Sequence, residues 1–343
     1  MSFPQMLTVL ILAAGKGTRM KSNKAKVLHE VFYSPMIHHV VKAVLPLDPS
    51  RTIVIVGHQQ DEVRNALGDF PVEFVTQEKQ LGTGHAVLAT EQSLSDTQGT
   101  VMILCGDTPL IQTKTLQEMY DSHKASSATL TLMTTNLDNP TNYGRILIDS
   151  DGRLSGIVEE KDTTLEQKAI REINAGIYCV EKAFLYGALH RVGTDNSQGE
   201  MYLTDIVALA VTGGHRAERF ITSAPHDVLG VNSRVELAAA HKEIQCRRNT
   251  ELMLQGITMH NPETICVATT STIGQDTLLM AGVHIQGEST LGESCRIEPG
   301  VILQNCILGD KVKIGAYSIL ENCNLPAETV LAPHSRQFSD AHT

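Results

Sequence analysis

The sequence predicts an α/β domain with a mainly parallel sheet, followed by a short parallel β-helix. Two observations lead to this prediction. In the first half, apolar runs alternate with helix-like stretches, a pattern typical of βαβ units with right-handed crossovers. In the last third, an aliphatic residue returns every six positions, which is typical of a parallel β-helix. We therefore expect a first domain at 1–232, a linker helix at 233–256 and the β-helix at 257–343.

The first element is an apolar run, Leu7–Leu12, typical of a buried parallel strand. The loop after it contains Gly15 and Gly17, which let backbone N–H groups approach a ligand closely. No acidic residue occurs before Glu30, although the whole chain has a formal charge of −10. A solvated basic loop is the alternative, but unbroken positive charge in an acidic protein favours binding of a polyphosphate. The cations of this loop are Lys16, Arg19, Lys21, Lys24 and Lys26.

Two better-known phosphate loops are excluded by spacing. A dinucleotide-binding fingerprint needs a third glycine, where this chain has Met20. It also needs an acidic residue at the end of the second strand, where the chain has Gly57 and His58. A Walker loop needs Ser or Thr after its lysine, but Lys16 is followed by Gly17.

The other elements of the first domain follow from the alternation of apolar and polar stretches. Ligands bind beyond the carboxyl ends of the strands in such sheets, and both the glycine loop and Asp107 fall there. Ser233 and Glu236 have capping-box spacing at the start of a long helix. The predicted elements are helix 35–44, strand 52–56, helix 60–67, strand 72–75, helix 84–93, strand 100–104, strands 129–134 and 173–180 in a mixed region with a hairpin opened by Tyr143, Gly144 and Arg145, and helix 234–254.

The repeat in the last third keeps its phase over many turns of the chain. A set of short antiparallel strands is the alternative, but it would not hold a six-residue period over this length. Each coil can bury its face only against its neighbours, so the solenoid needs caps or partners. The aliphatic positions are Val267, Ile273, Leu279, Ile285, Leu291, Ile297 and Leu303, and then, after one slip, Leu308, Ile314 and Leu320.

Composition excludes several classes of protein. The acidic balance argues against nucleic acid or an anionic membrane as the main partner. No apolar stretch reaches the length of a transmembrane helix. Seven cysteines show neither a Cys-x-x-Cys pair nor zinc-like spacing, which indicates reduced thiols and a cytoplasmic protein.

Three polar positions are candidates for a site. Asp107 follows a buried strand and is a candidate Mg²⁺ ligand, with helix capping or turn stabilisation as the alternative. Gln77 has a side-chain amide that could pair with both a donor and an acceptor of a ligand, although a lone glutamine is commonly just solvated. The charged stretch beginning at Glu159 is, on the residues alone, better explained as a solvated turn.

The stretch 12–20, Leu-Ala-Ala-Gly-Lys-Gly-Thr-Arg-Met, with Lys26 six positions further on, resembles the signature of the sugar-1-phosphate nucleotidyltransferases. Within them the chain most resembles the bacterial N-acetylglucosamine-1-phosphate uridylyltransferases. The resemblance implies a Rossmann-like, glycosyltransferase A-like domain and a left-handed parallel β-helix. It also implies UTP and N-acetylglucosamine 1-phosphate as substrates, Mg²⁺ as cofactor, a role in supplying cell-wall and lipopolysaccharide precursors, and a homotrimer formed through the β-helix.

The resemblance also assigns roles to individual residues. Arg19 and Lys26 would be catalytic, and Asp107 and Asn232 would hold Mg²⁺. The sugar would contact Gly144, Glu159 and Asn174, together with Tyr202 and Thr204 in the segment 198–205. The nucleotide would contact Leu12, Ala13, Ala14, Gly15, Lys26, Gln77, Gly82, Thr83, Cys105, Gly106 and Asp107.

The chain departs from the family at two of its motif positions. Ala25 stands where the family has proline before the lysine, so this segment is expected to be more mobile. Cys105 stands where close relatives have an aromatic residue, so a contact near the nucleotide is expected to be missing.

Longer members of the family continue their β-helix well past position 343 and carry an acetyltransferase there, so we expect no acetyl transfer from this polypeptide. Two other functions stay open. One is the same chemistry on another sugar phosphate or nucleotide, as in ADP-glucose and dTDP-glucose synthases, which share the glycine loop. The other is a non-catalytic nucleotide sensor assembled through its solenoid, and the intact set Arg19, Lys26, Asp107 and Asn232 argues against it.

Overall fold

The computed structural model of the protein describes residues 6–15 and 17–339. Lys16, one of the cations of the glycine loop, and the last four residues of the predicted β-helix domain lie outside the described residues. The chain packs as two compact units: one contains the residues up to His29 together with Pro35–Glu236, and the other contains Glu30–Ser34 together with the residues from Leu237 onwards. The functional domain boundaries at 232 and 256 stay predictions.

The first unit is built on a nine-stranded mixed sheet, with the helices on its faces. Strands in the first part of the chain are β1 (Leu7–Leu12), β2 (Glu30–Val31), β3 (Ser34–Pro35), β4 (Arg51–Val56), β5 (Glu73–Thr76), β6 (Thr100–Cys105), β7 (Leu130–Asn136), β8 (Arg145–Ile148), β9 (Leu154–Val158), β10 (Glu172–Glu181) and β11 (Ala217–Ile221). The helices of the chain are α1 (Met36–Val44), α2 (Gln60–Ala66), α3 (Thr83–Leu88), α4 (Thr113–Ser126), α5 (Lys182–Leu189), α6 (Asp205–Thr212) and α7 (Arg234–Leu254).

The central strand β1 is parallel to both of its neighbours, β4 and β6. Leu10 lies between Ile53 and Ile103, and all three side chains are fully buried. Successive residues of β1 face opposite sides of the sheet, so Val9 joins one apolar core and Leu10 the other. A strand buried on both faces needs a continuous apolar run, which is why Leu7–Leu12 is recognisable from the sequence.

The sheet changes character beyond β6. Its strand order is β11-β7-β10-β6-β1-β4-β5, and β10 is antiparallel to both β6 and β7. The hairpin β8–β9 joins β10 through a single pairing of Arg145 with Ile173. The mixed pattern predicted after residue 129 and the hairpin opened at Tyr143 are therefore both confirmed.

Two helical predictions need correction. The helix predicted at 84–93 ends at Leu88, and the chain continues through a single turn of 3₁₀ helix. Thr90 is the reason, because its hydroxyl is buried, donating to Val87 O at 2.7 Å and lying 2.8 Å from Tyr186 Oη. At α7 the predicted capping box forms only in part: Glu236 N–H donates to Ser233 Oγ at 3.2 Å, but the Glu236 carboxylate accepts from Asn232 N–H at 2.6 Å.

The second unit contains a left-handed parallel β-helix whose coils form three sheets. Coils are 18 residues long at first, since Leu279 pairs with Ile297, and 17 after the slip, since Ile297 pairs with Ile314. These three side chains are fully buried, which confirms the repeat. The strands are β12 (Thr258–Met259), β13 (Cys266–Val267), β14 (Thr272–Ile273), β15 (Leu278–Leu279), β16 (His284–Gln286), β17 (Thr290–Leu291), β18 (Arg296–Ile297), β19 (Ile302–Gln304), β20 (Ile307–Leu308), β21 (Lys313–Ile314), β22 (Ile319–Glu321), β23 (Asn324–Leu325), β24 (Val330–Leu331) and β25 (Arg336–Phe338).

The short hairpin β2–β3 places its tip in the second unit. Phe32 is 2% exposed and its N–H donates to His241 Nδ1 at 3.2 Å. Tyr33 Oη lies 3.2 Å from His284 Nδ1. No sequence pattern predicts this packing, because only folding brings Phe32 beside a residue more than two hundred positions later in the chain. Within the described ranges, no helix is long and apolar enough to cross a membrane.

Candidate active site

The loop after β1 forms the first wall of the site, and Gly17 fixes its path. Gly17 has φ +59°, and a Cβ placed on it would lie 2.5 Å from Lys26 Cβ. Neither the backbone angle nor the space suits another residue. Ala13 N–H donates to Ile55 O at 2.8 Å, which holds the loop against the end of β4. The loop therefore passes directly over the base of the Lys26 side chain.

The other predicted nucleotide contacts of this loop lie at the carboxyl ends of the parallel strands. Leu12 O accepts from Gly106 N–H at 2.9 Å, and Ala14 O accepts from His58 N–H at 3.4 Å. Leaving aside the two chain neighbours of Gly15, no described residue comes within 4 Å of the position that a Cβ on Gly15 would take. The rest of the described chain therefore leaves room for a ligand on that side of Gly15.

Four predicted residues from three separate segments meet beside this loop. Lys26 Nζ forms an ion pair with Asp107 and donates to Asn232 Oδ1 at 2.6 Å. Arg19 Nη2 donates to the same Asn232 oxygen at 2.7 Å. Two cations, one carboxylate and one amide oxygen therefore converge, and the Lys26 ammonium bridges the two oxygens.

Asn232 is held so that its amide oxygen faces the cations. Its Nδ2 donates to Gly230 O at 3.1 Å, and its backbone N–H donates to the Glu236 carboxylate at 2.6 Å. Val231 N–H donates to Asp107 O at 2.8 Å, which ties this segment to the end of β6. Glu236, in the first turn of α7, thus fixes the backbone of Asn232.

The residues present suit a divalent cation with few protein ligands. Among the described residues, no group of three or more His, Cys, Asp or Glu side chains could hold a metal ion. Asp107 and Asn232 offer one carboxylate and one amide oxygen, and a cationic ammonium already lies between them. Mg²⁺ fits such a donor set, because it binds through one or two protein oxygens and takes its other ligands from phosphates and water.

Gln77 lies in a buried position after β5 and is not a solvated side chain. It is 3% exposed, and its Nε2 donates to Gly82 O at 3.1 Å and lies 3.0 Å from His85 Nδ1. Gly82 has φ +112°, and a Cβ there would lie 2.8 Å from Met201 N. The amide nitrogen of Gln77 is therefore engaged within the loop, which leaves its Oε1 as the group free to accept from a ligand.

Thr83 links this nucleotide side of the site to the segment 198–205. Its Oγ1 accepts from Leu203 N–H at 3.0 Å, and the next residue, Gly84, donates from its N–H to Met201 O at 2.8 Å. Hydrogen bonds therefore join the segment predicted to contact the base to the segment predicted to contact the sugar.

Glu159 and Thr204, both predicted to contact the sugar, are in contact with each other. Thr204 Oγ1 donates to Glu159 Oε1 at 3.1 Å, and Thr204 is 5% exposed. Burial raises the pKa of the Glu159 carboxyl above its ordinary value, with a smaller contribution from the nearby charge of Asp205, while the Thr204 hydroxyl opposes the shift. Glu159 and Glu160 are half-buried, whereas Lys161 and Asp162 of the same turn are exposed. The turn is therefore solvated at its end, while Glu159 faces Thr204.

Gly144 and Asn174 lie side by side where β8 meets β10. Asn174 N–H donates to Gly144 O at 2.9 Å, and its side chain donates to Tyr178 Oη at 2.6 Å. Asn174 Oδ1 accepts from Gly176 N–H at 2.9 Å, at an irregularity in the pairing of β10 with β7. The Asn174 side chain is thus oriented by its own strand.

The last two predicted contacts are an aromatic and a thiol. Tyr202 Oη accepts from Gln198 Nε2 at 2.8 Å, and burial is the largest cause of the raised pKa of its phenol. Cys105 Sγ lies 3.7 Å from Gly176 O. Burial, followed by the charge of Asp107, raises the pKa of the Cys105 thiol to about 12, so it is not a nucleophile at neutral pH.

Sequence reasoning missed Tyr143 as a member of the site. Burial, followed by the carboxylates of Glu236 and Asp107, raises the pKa of its phenol to about 12, and the backbone of Gly230 hydrogen-bonds to it. Arg19 is close enough to lower that pKa slightly. The position of Tyr143 directly before Gly144, a predicted sugar contact, is the sequence signal for this role.

Fold and site together define an enzyme of nucleotide transfer, and comparison with known proteins gives the same class. The model of the nucleotidyl transferase family matches residues 8–241. The chain is 52% identical over 331 residues to the bifunctional protein GlmU of Desulfotalea psychrophila, covering 96% of this chain and 98% of that protein. The GlmU of Geobacter metallireducens is 47% identical over 88% of this chain and 64% of its own length, and that of Trichlorobacter lovleyi 40% identical over 94% and 71%.

The chain belongs to the nucleotidyl transferase family. Its relatives within that family are GlmU proteins, which confirms the predicted uridylyltransferase activity that makes UDP-N-acetylglucosamine.

Proposed function

We propose that the cluster of Arg19, Lys26, Asp107 and Asn232 is the catalytic centre for transfer of UMP from UTP to N-acetylglucosamine 1-phosphate. The carrying observation is the convergence of both cations on the oxygens of Asp107 and Asn232. A phosphate oxygen of the sugar phosphate attacks the α-phosphorus in line, and the bond to pyrophosphate breaks. The attacking group is already an anion, so no side-chain nucleophile or general base is required.

Asp107 and Asn232 would hold Mg²⁺, with their oxygens oriented as in the structure. When bound there, Mg²⁺ would neutralise charge on phosphoryl oxygens as a Lewis acid. The role of Asp107 and Asn232 is to hold in place the two side-chain oxygens that would bind the metal. Val231 and Glu236 support that role by hydrogen bonds to the backbone of the pair.

Lys26 and Arg19 reduce the repulsion between two anionic substrates and stabilise charge that develops in the transition state. The base of the Lys26 side chain is held by Gly17. Its ammonium lies on the Asp107 and Asn232 oxygens in the structure, so it would pass to phosphate oxygens when Mg²⁺ binds that pair. Positioning of the two substrates supplies much of the remaining rate enhancement.

Base and sugar bind on either side of this centre. Gln77 Oε1 would accept the N–H of uracil, with Gly82 and Thr83 completing the base site. Glu159 and Asn174 would bind sugar hydroxyls and the acetamido group, with Gly144 leaving room for the ring. The raised pKa of Glu159 supports this role, because a buried carboxyl without a bound partner is costly to ionise.

Pyrophosphate release tests the assignment, measured with each nucleoside triphosphate in turn against a panel of sugar 1-phosphates and with Mg²⁺ present or removed by chelation. We expect release with UTP and N-acetylglucosamine 1-phosphate to exceed that with ATP or dTTP and glucose 1-phosphate. Asp107→Ala should abolish the Mg²⁺-dependent activity. Retention of that activity would remove Asp107 from the centre, and release with every nucleotide at one rate would contradict the base site.

The chain is further proposed to act in the cytoplasm and to assemble as a trimer through its β-helix. All seven cysteines are free thiols, which suits a reducing compartment. Ile307, Val330 and Phe338 are 53%, 68% and 63% exposed and lie on the three different sheets of the β-helix, and contacts between copies of the β-helix would cover such side chains.

A further inference from the structure

Arg145 is a charged side chain that the proposed chemistry does not use, and it is almost completely buried. Arg145 is 1% exposed, although it is the first residue of β8. One guanidinium nitrogen lies 2.7 Å from the Glu160 carboxylate, and another donates to Tyr143 O. Arginine is almost never fully buried unless it is paired, so the pairing with Glu160 explains how Arg145 can lie there.

The position of Arg145 in the sheet is central to the proposed sugar site. Its backbone pairs with Ile173 on β10 and with Val158 on β9. Arg145 therefore joins the two strands from which sugar contacts emerge. The residues next to these three positions in the chain are Gly144, Glu159 and Asn174.

The acidic partner lies directly beside the proposed sugar ligand. Glu160 opens a turn of 3₁₀ helix, and Glu159 is the residue that precedes it. Asp162 N–H donates to Glu159 O at 2.9 Å, so the turn is closed onto that residue. Anchoring Glu160 through Arg145 fixes the direction in which the Glu159 side chain leaves the backbone.

Stability alone is a weak explanation for the Arg145–Glu160 pair. Desolvation of two charges offsets most of their attraction, and apolar side chains of similar size commonly serve a core as well or better. A positioning role gives the charges a purpose, because the 2.7 Å contact between Arg145 Nη2 and Glu160 Oε2 joins β8 to the turn after β9 by charge attraction, which apolar packing does not supply.

We propose that Arg145 and Glu160 are positioning residues that set the affinity of the enzyme for the sugar phosphate while leaving UTP binding unchanged. The proposal rests on the assignment of Glu159, Gly144 and Asn174 to the sugar. The ion pair holds the turn after β9 at one angle, so that the Glu159 carboxylate meets Thr204 and the sugar together.

Steady-state kinetics of the full chain test the proposal with Arg145→Met and Glu160→Gln. We expect the KM for N-acetylglucosamine 1-phosphate to rise about 10- to 100-fold in each variant, as for a displaced positioning contact, while the KM for UTP stays within about twofold of the parent. Arg145→Lys should recover part of the loss. Arg153→Met is the matched control, because its side chain is 80% exposed on the same hairpin, and it should leave both constants unchanged.

Two further variants separate the inference from the assignment of the sugar site. Glu159→Ala should raise the KM for the sugar phosphate, and the double variant Arg145→Met/Glu160→Gln should lose no more than the worse single variant. If Glu159→Ala leaves that constant unchanged, the sugar site itself is wrong. If Glu159→Ala raises it while Glu160→Gln does not, or if both KM values rise together, the positioning role is overturned. Should Arg145→Met fail to fold, Glu160→Gln, which keeps its shape, decides alone.

Discussion

At the scale of single residues, the candidate site depends on how a flexible lysine is held still. A lysine side chain loses conformational entropy when it is ordered. Contacts at the Cβ and at the ammonium of Lys26 offset that loss. Gly17 packs against Lys26 Cβ, and the ammonium is shared by two oxygens. The base of the side chain is thereby fixed near the site, while the ammonium would pass from these two oxygens to the phosphates when Mg²⁺ binds.

Replacement of Lys26 by alanine should lower kcat by about 10²- to 10³-fold, the effect of removing one preorganised donor from a transition state. The fold should survive, because the Lys26 side chain lies at the edge of the core and Asp107 keeps some contact with solvent. Single-turnover kinetics with UTP and the sugar phosphate measure the loss, and a thermal melt checks the fold. Lys21→Ala, an exposed cation of the same loop, is the control. Parent-like turnover in Lys26→Ala would remove the residue from the chemistry.

Ala25, which departs from the family motif, already has a backbone suited to proline. Its φ is −52° and its ψ is 135°, close to the angle that a proline ring fixes. Ala25→Pro should therefore raise the free energy of unfolding by about 0.4–1 kcal/mol, through lower entropy of the unfolded chain. Urea denaturation measures the change. A fall in stability would mean that the ring collides with the buried surroundings of Ala25, and that the alanine is needed in this chain.

Because the Glu159 carboxyl is removed from solvent, we expect the free energy of unfolding to depend on pH. Burial raises the pKa of its carboxyl above the ordinary 4.5, so the folded protein holds the proton more tightly than the unfolded chain. Stability attributable to this group therefore falls as the pH rises from 4.5 through the folded pKa, and is fully lost above it. Glu159→Gln should be more stable than the parent at pH 8, and the difference should shrink towards pH 4.5. Urea midpoints across that range measure it. A difference that does not change with pH would contradict the burial of the charge.

At the scale of elements, the parts that the sequence predicted are those with a local cause. β1 is a continuous apolar run because both its faces are buried, and α7 starts at a recognisable cap. The β-helix repeats because each coil places the same residue at the same corner. Helix α4 and the early end of α3 were not predicted, since the first has weak periodicity and the second depends on the buried contact of Thr90 with Tyr186.

The site shows the same division between local and distant causes. The loop around Gly15 and the carboxylate of Asp107 were identifiable from residue type and position. Asn232 and the sugar contacts came only from resemblance, since an amide before a helix or a charged turn has bland explanations. The support of Asn232 by Glu236, and of Glu160 by Arg145, is a product of three-dimensional folding. No sequence pattern predicts a contact between side chains on separate strands.

Glycines of the β-helix give a prediction at this scale. At Gly292, a Cβ would lie 2.7 Å from Asp310 N and Gly309 C in the next coil, and backbone cannot move aside cheaply. Gly292→Ala should therefore lower the free energy of unfolding by about 1–3 kcal/mol, as overpacking does elsewhere. Gly187→Ala is the control: it lies in α5 with no described atom within 4 Å, and alanine there should be neutral or stabilising. Chemical denaturation compares the two. Equal stability of Gly292→Ala and the parent would show that the coils can separate freely.

At the scale of the whole molecule, the charge of the loop beside the site is opposite in sign to the net charge of the chain. The chain has a formal charge of −10, yet the substrates of the proposed reaction are both anions. Local cations must therefore attract ligands that the rest of the surface repels, and the loop after β1 concentrates them near the site. An acidic exterior also keeps the enzyme soluble and discourages non-specific binding to nucleic acid.

Assembly is the property for which the β-helix offers the clearest prediction. A solenoid buries each coil only against its neighbours, and this one leaves Ile307 53%, Val330 68% and Phe338 63% exposed. With a chain mass of 37.3 kDa, light scattering after gel filtration should give three times that mass, about 112 kDa.

Introducing a charge at one of these positions, as in Ile307→Glu, costs little in an exposed side chain but would place an unpaired carboxylate within an interface. The variant should therefore run at the mass of a single chain while its far-UV circular dichroism matches the parent. A parent that already runs as a single chain at micromolar concentration would refute the trimer, and an Ile307→Glu variant that stays trimeric would place the interface away from β20.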